Sequence, residues 1–192
     1  SRGLGDVYKR QEFMDQPSLS AKEFFEAIYP NRAEEADQIF YDFIGKHHLD
    51  FLYPMAKAEE FLKLIKVPLG IVSNKRYHTL NIEVDHMNWR HYFKTIIGAG
   101  QADRDKPAPD PLLMAMNEIH ESLTGEDILY FGDTETDLLT AQAVGADVVF
   151  IQSDRPRPDL IDKYKPTYHF HSIEELITAV TNGYPTANDK AD

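Results

Sequence analysis

From residue 67 onward, short apolar runs alternate with longer amphipathic stretches. VPLGIVSN (67–74), TIIGA (95–99), ILYFGD (128–133) and DVVFIQ (147–152) are mostly apolar and end in small or polar residues. Each predicts a buried strand. TYHFH (167–171) predicts a weaker one. Between them, KRYHTLNIEVDHM (75–87), DPLLMAMNEIHESL (110–123), ETDLLTAQAVG (135–145) and SIEELITAVTN (172–182) carry helical spacing. Pro109 and Asp110 suit the first turn of the second of these, and Gly145 suits a C-cap of the third. Ser172 with Glu175 three positions on has the pattern of a capping box. The alternation predicts an α/β, Rossmann-like fold: a mostly parallel sheet with helices on both faces. The proline-rich DRPRPD (154–159) reads as a loop.

Upstream the pattern is helical only. SLSAKEFFEAIY (18–29) has Ser18 or Ser20 as N-cap, Phe24, Phe25 and Ile28 on one face, and Pro30 at its end. RAEEADQIFYDFIGKHH (32–48) places Ile39, Phe40, Phe43 and Ile44 at helical spacing, and MAKAEEFLKLIK (55–66) is helical too. These aromatics read as packing residues. The first eleven residues, SRGLGDVYKRQ, have no apolar periodicity, and DVYKRQ (6–11) resembles the translation of a sequencing-library adapter end. The domain expectation is therefore a non-biological leader over 1–11, a partial helical cap over 12–52, an α/β core over 53–182, and a disordered tail over 183–192. On this reading the gene begins upstream of the adapter-like segment.

Composition narrows the function. The formal net charge of −12 disfavours nucleic acid and anionic membrane as partners. The absence of cysteine excludes disulfides, thiolate catalysis and zinc–thiolate sites. No apolar run approaches the roughly 20 residues of a membrane span, so a cytoplasmic protein is the expectation. The oligomeric state is left open.

Three candidate sites follow strands in order. Ser73 and Asn74 stand at a strand tip, where a hydroxyl and backbone N–H groups can hold phosphoryl oxygens; as residues they also suit a plain turn. Lys106, in RDKPAPDP, sits on a segment stiffened by prolines at 107, 109 and 111. It can neutralise a phosphate, or be a solvated charge. Asp133 and Asp137 lie where a strand hands over to a helix, the ligand rim of an α/β sheet. Such a pair suits Mg²⁺, which takes one or two protein carboxylates and completes its shell with water and phosphate. The alternative has Asp133 capping the helix and Asp137 complementing its dipole. His169 and His171 share a strand face and His47 and His48 end a helix; neither pair reads as a metal site.

VSN, then KPAPDP, then GDTETD, each after an apolar strand, resembles the haloacid dehalogenase superfamily of phosphohydrolases. The resemblance runs from residue 53 to about 179. The KPxP form and the helices before the Ser motif look most like the phosphoglycolate phosphatase and β-phosphoglucomutase branch. The resemblance implies that Ser73 and the following amide at Asn74 hold the transferring phosphoryl group. It implies that Lys106 orients the nucleophile and offsets charge, and that Asp133 and Asp137 bind Mg²⁺ directly or through water. The implied activity is phosphomonoester hydrolysis of a small phosphorylated metabolite through an aspartyl-phosphate.

The resemblance also implies a nucleophilic aspartate in a DxD motif at the tip of a central strand. No such motif is present: Asp6, Asp15, Asp50 and Asp85 all lack the apolar strand or the second acid. A phosphomutase, or a non-catalytic protein binding a phosphorylated ligand or a partner, are the rival readings. Without its middle strand the sheet is expected to be poorly stable. The chain as written is expected to be inactive. Residues 12–192 should not turn over p-nitrophenyl phosphate with Mg²⁺, and turnover that disappears with Asp133→Ala would overturn this.

Overall fold

The computed structural model describes residues 21–152 and 156–183. The leader at 1–11, Asp6, Asp15, the proposed caps Ser18 and Ser20, and the tail after Gly183 lie outside the described residues. Helix α1 (Ala21–Ile28) ends before Pro30, and α2 (Ala33–His47) follows. The rings of Phe25 and Phe40 meet edge-on at 5.6 Å and join the two helices. A short 3-10 turn at His48–Phe51 leads to α3 (Ala58–Leu64).

The rest alternates as the apolar pattern predicts: β1 (Leu69–Arg76), α4 (Tyr77–His86), β2 (Phe93–Ala99), α5 (Asp110–Ile119), β3 (Leu129–Gly132), α6 (Glu135–Val144) and β4 (Asp147–Ile151). Then come α7 (Pro158–Tyr164), β5 (Tyr168–Phe170) and α8 (Ile173–Thr181). Every strand pair is parallel. Among the described residues the strands form two pieces, β1–β2 and β3–β4–β5. Among the described residues β1 pairs only with β2, and β3 only with β4.

The main core lies between α5, α6 and the strands, where Leu112, Met116, Tyr130, Leu138, Val148, Phe150 and Leu160 pack together. A second cluster of Val149, Phe170 and Leu176 fills the other face of β4 and takes in Phe61 and Phe131. Helices therefore cover both faces. That explains why β4 is apolar at four of its five positions rather than alternating.

Three local expectations need correction. DRPRPD is not all loop: Pro158 and Asp159 open α7, because proline is already fixed at a helical φ and its missing N–H costs nothing in a first turn. Ser172 does cap α8, its Oγ accepting from the Glu175 N–H at 3.1 Å, but the Glu175 carboxylate accepts from the His171 N–H at 2.7 Å instead of closing the box on Ser172. Strand β1 runs two residues past Asn74, through Lys75 and Arg76, with its register shifted there. Gly145 caps α6 as expected, at φ 76°, where a side chain would be strained.

Leu138 is wholly buried on α6, whereas Leu113 on α5 is 49% exposed. Leu138→Ala should lower unfolding free energy by about 3 kcal/mol in urea titration, and Leu113→Ala by less than about 0.5 kcal/mol. Equal effects would contradict the placement of the core.

Candidate active site

The tips of β1 and β3 and the loop before α5 converge on one recess of about 710 Å³. Ser73, Asn74, Lys106, Asp133 and Asp137, all singled out in the sequence, line it together. Phe131, Gly132 and Thr136 complete the floor, and Tyr41, His48, Lys75 and Glu83 form the outer wall.

Lys106 is the centre of the arrangement. Its ammonium donates to Asp137 Oδ1 at 2.6 Å, to the Val72 carbonyl at 3.1 Å and to the Tyr130 hydroxyl at 3.3 Å. Those contacts use all three of its donors. Both Lys106 and Asp137 are about 6% exposed, so the solvated-charge reading of Lys106 does not hold. The Asn74 carboxamide fixes the lysine's backbone: its Nδ2 donates to the Lys106 carbonyl at 2.7 Å and its Oδ1 accepts from the Lys106 N–H at 3.0 Å. Asn74 thus reaches the site as a clamp on the proline-stiffened loop. Ser73 Oγ accepts from the Lys75 N–H at 3.1 Å, which turns the strand tip inward.

The two aspartates differ in kind. Asp137 Oδ2 accepts from the Thr134 N–H at 3.0 Å, from the Thr134 hydroxyl at 2.5 Å and from the Asp133 N–H at 3.3 Å. Thr134, not Asp133, is the N-cap of α6, and Thr134 with Asp137 closes a reciprocal capping box. T-x-x-D is the sequence signature of this box, masked here by the acid pair that overlaps it. Tyr130, whose hydroxyl donates to Asp137 at 3.2 Å, was likewise hidden inside an apolar run. Gly132 permits the closeness, since a Cβ there would lie 2.3 Å from the Asp137 Cβ.

Electrostatics follow from these contacts. Burial works to raise the Asp137 pKa. The charge and hydrogen bond of Lys106 and the bonds from Thr134 outweigh it and hold the carboxyl below the usual range. Asp133 goes the other way: burial first, then the neighbouring Asp137 charge, push it up. Its carboxylate keeps an exposed edge but stands in the recess beside a like charge. Burial and then Asp137 likewise hold the Tyr130 phenol well above its usual value, so it stays a donor.

Among the described residues no group of three or more His, Cys, Asp or Glu converges on a point. His169 and His171 sit with ring centres 6.4 Å apart, and His171 meets Gln152 rather than a third metal-type ligand. His48 lies 3.5 Å from Glu83, which also takes Lys75 at 2.5 Å. Arg76, directly after that tip, pairs with Asp37 of α2 and stacks over Tyr41 at 4.1 Å. This outer wall has no local signature, because its members are spread over α2, the 3-10 turn, β1 and α4.

No helix among the described residues is long and apolar enough to cross a membrane. Residues 2–151 match the family model described as haloacid dehalogenase-like hydrolase. The phosphoglycolate phosphatase of Escherichia coli K12 is 28% identical over 131 residues, covering 68% of this chain and 51% of that protein. The chain thus spans about half the length of that relative. The pyrophosphatase PpaX of Listeria welshimeri is 24% identical over 180 residues, covering 91% of this chain and 81% of that one. A haloacid dehalogenase-like family protein from Streptococcus pneumoniae superposes with a TM-score of 0.72 at 22% identity, covering 88% of this chain and 79% of that one, a likeness of fold. With the family's model matched over most of its length, and with the three strand-tip motifs meeting in one recess, the chain belongs to the haloacid dehalogenase-like hydrolases.

Proposed function

We propose that this chain carries the phosphate- and metal-holding part of a Mg²⁺-dependent phosphomonoester hydrolase, cytoplasmic and acting on a small phosphorylated metabolite. The observation that carries the reading is the buried Lys106, held by Asp137, Tyr130 and the Val72 carbonyl beside an unbridged Asp133. Relatives named phosphoglycolate phosphatase and pyrophosphatase support the substrate class, a phosphate ester or anhydride of low mass.

The residues divide the work. Among the described residues Asp133 makes no side-chain bond to another residue, and a divalent cation beside it would relieve its repulsion with Asp137. Asp133 is therefore the direct metal ligand. Asp137, with both oxygens already bonded, positions Lys106 and reaches the metal only through water. When bound, Mg²⁺ supplies charge neutralisation of the transferring phosphoryl oxygens. Ser73 Oγ and the backbone N–H groups at the tip of β1 orient that group, and Lys106 lowers the cost of negative charge. The Asn74 clamp keeps the lysine from drifting. Among the described residues none is assigned as the attacking carboxylate.

Titration with Mg²⁺ and inorganic phosphate tests this by calorimetry and ³¹P NMR. The chain should bind both together, and Asp133→Asn should weaken Mg²⁺ binding at least tenfold while leaving the fold intact. Binding unchanged in Asp133→Asn would sink the reading.

Asp137→Asn should act on stability instead. It leaves Lys106 buried without its counter-charge, and breaking such a pair costs about 3 kcal/mol by urea titration.

The pH dependence follows from the raised Asp133 pKa. A protonated Asp133 cannot hold the metal, so affinity is present at neutral pH and is lost as pH falls through that pKa. The midpoint should lie above the ordinary aspartate value of about 3.9. A midpoint at or below it would show that Asp133 is not the ligand.

A further inference from the structure

The donors of Lys106 already have partners before any ligand arrives. They meet Asp137 Oδ1 at 2.6 Å, the Val72 carbonyl at 3.1 Å and the Tyr130 hydroxyl at 3.3 Å. An ammonium has no fourth donor. One partner must therefore be released when an oxyanion enters the recess and draws on the lysine.

The three partners are not equal. Asp137 is the counter-charge, and separating a buried pair carries the largest penalty. Tyr130 is the most distant of the three, and its direction is poor. Seen from the ammonium, triangles of 2.6, 3.3 and 3.2 Å with Asp137, and of 3.1, 3.3 and 3.5 Å with Val72, set the hydroxyl about 65° from each. That is far narrower than the tetrahedral spread of the N–H bonds. An ammonium aimed well at Asp137 and Val72 is thus badly aligned on the tyrosine between them. Losing Lys106 does not orphan the phenol, whose own O–H still has Asp137 Oδ1 at 3.2 Å. Tyr130 is also buried, and among the described residues that line the recess Lys106 is present and Tyr130 is not. A ligand in the recess can meet the ammonium without touching the phenol.

We infer that Tyr130 is a positioning residue that stands in for the ligand: its hydroxyl takes the third N–H of Lys106 while the recess is empty, and yields it to a phosphate oxygen when phosphate binds. The identity of that oxyanion rests on the phosphatase reading above. A buried ammonium donor left without a partner is costly. The hydroxyl removes that cost from the empty site and not from the filled one. It therefore weakens phosphate binding, and it gives the lysine a fixed resting place when phosphate leaves.

The test uses the 192-residue chain with Mg²⁺ and inorganic phosphate. Tyr130→Phe keeps the ring and removes the stand-in. Calorimetry should show phosphate bound at least threefold more tightly by Tyr130→Phe than by the unaltered chain. A hydroxyl that only braced the site would act in the opposite direction, so equal or weaker binding by the folded variant overturns the inference. A second measurement needs no variant. With ¹³C at the tyrosine ring Cζ, the Tyr130 signal, assigned by through-bond correlation to its backbone, should move on saturation with phosphate as the donation from Lys106 is lost. A signal that stays fixed while phosphate binds also overturns the inference. Either of these failures leaves the phosphate-holding reading standing. An unaltered chain that binds no phosphate with Mg²⁺ overturns that reading and the exchange together.

Discussion

A single buried ion pair holds this site together. Lys106 and Asp137 come from segments 31 residues apart, and their contact at 2.6 Å fixes the proline-stiffened loop against the first turn of α6. The pair is not left to Coulomb attraction alone. Every donor of the lysine and both oxygens of the aspartate have further partners, which is the condition under which a buried pair can offset its desolvation. Asn74 adds the β1 tip to the same network, and Tyr130 adds β3. Three strand-to-helix junctions are thus tied at one point, and the ligand rim has a fixed shape before any ligand arrives.

The network also sorts two chemically identical side chains. Asp133 and Asp137 are four positions apart and share a recess, yet Lys106 and Thr134 stabilise one as a carboxylate while burial and the neighbouring charge disfavour ionisation of the other. The division is set by which acid closes the helix cap. Thr134 takes the cap position, Asp137 completes the box, and Asp133 is left facing the recess.

Much of this could be read from residue order, and the limits have physical causes. Gly145 and Ser172 were legible because left-handed caps and N-caps depend on one residue's own chemistry. The five candidates that the structure brings into one recess had separate signals: Ser73, Asn74 and Asp133 end apolar runs, Lys106 stands among prolines, and Asp137 lies four positions after Asp133. The Asn74 side-chain clamp could not be read, because it depends on a loop 32 residues away, which spacing cannot show. DRPRPD misled because proline both breaks helices and opens them, and only the following LIDKY distinguishes the two. The division of the sheet into two pieces could not be read from strand periodicity, since a strand's pattern is the same with or without a neighbour.

Arg76 gives the recess a mechanical character. It follows the Ser73–Asn74 tip by two residues, yet its guanidinium is held by Asp37 and Tyr41 of α2. The helices that form the outer wall and the strand tip that would hold phosphate therefore share one side chain as a tie rod. The outer wall and the strand tip are therefore braced against each other through Arg76, and through the Asn74 clamp the brace extends to the loop that carries Lys106.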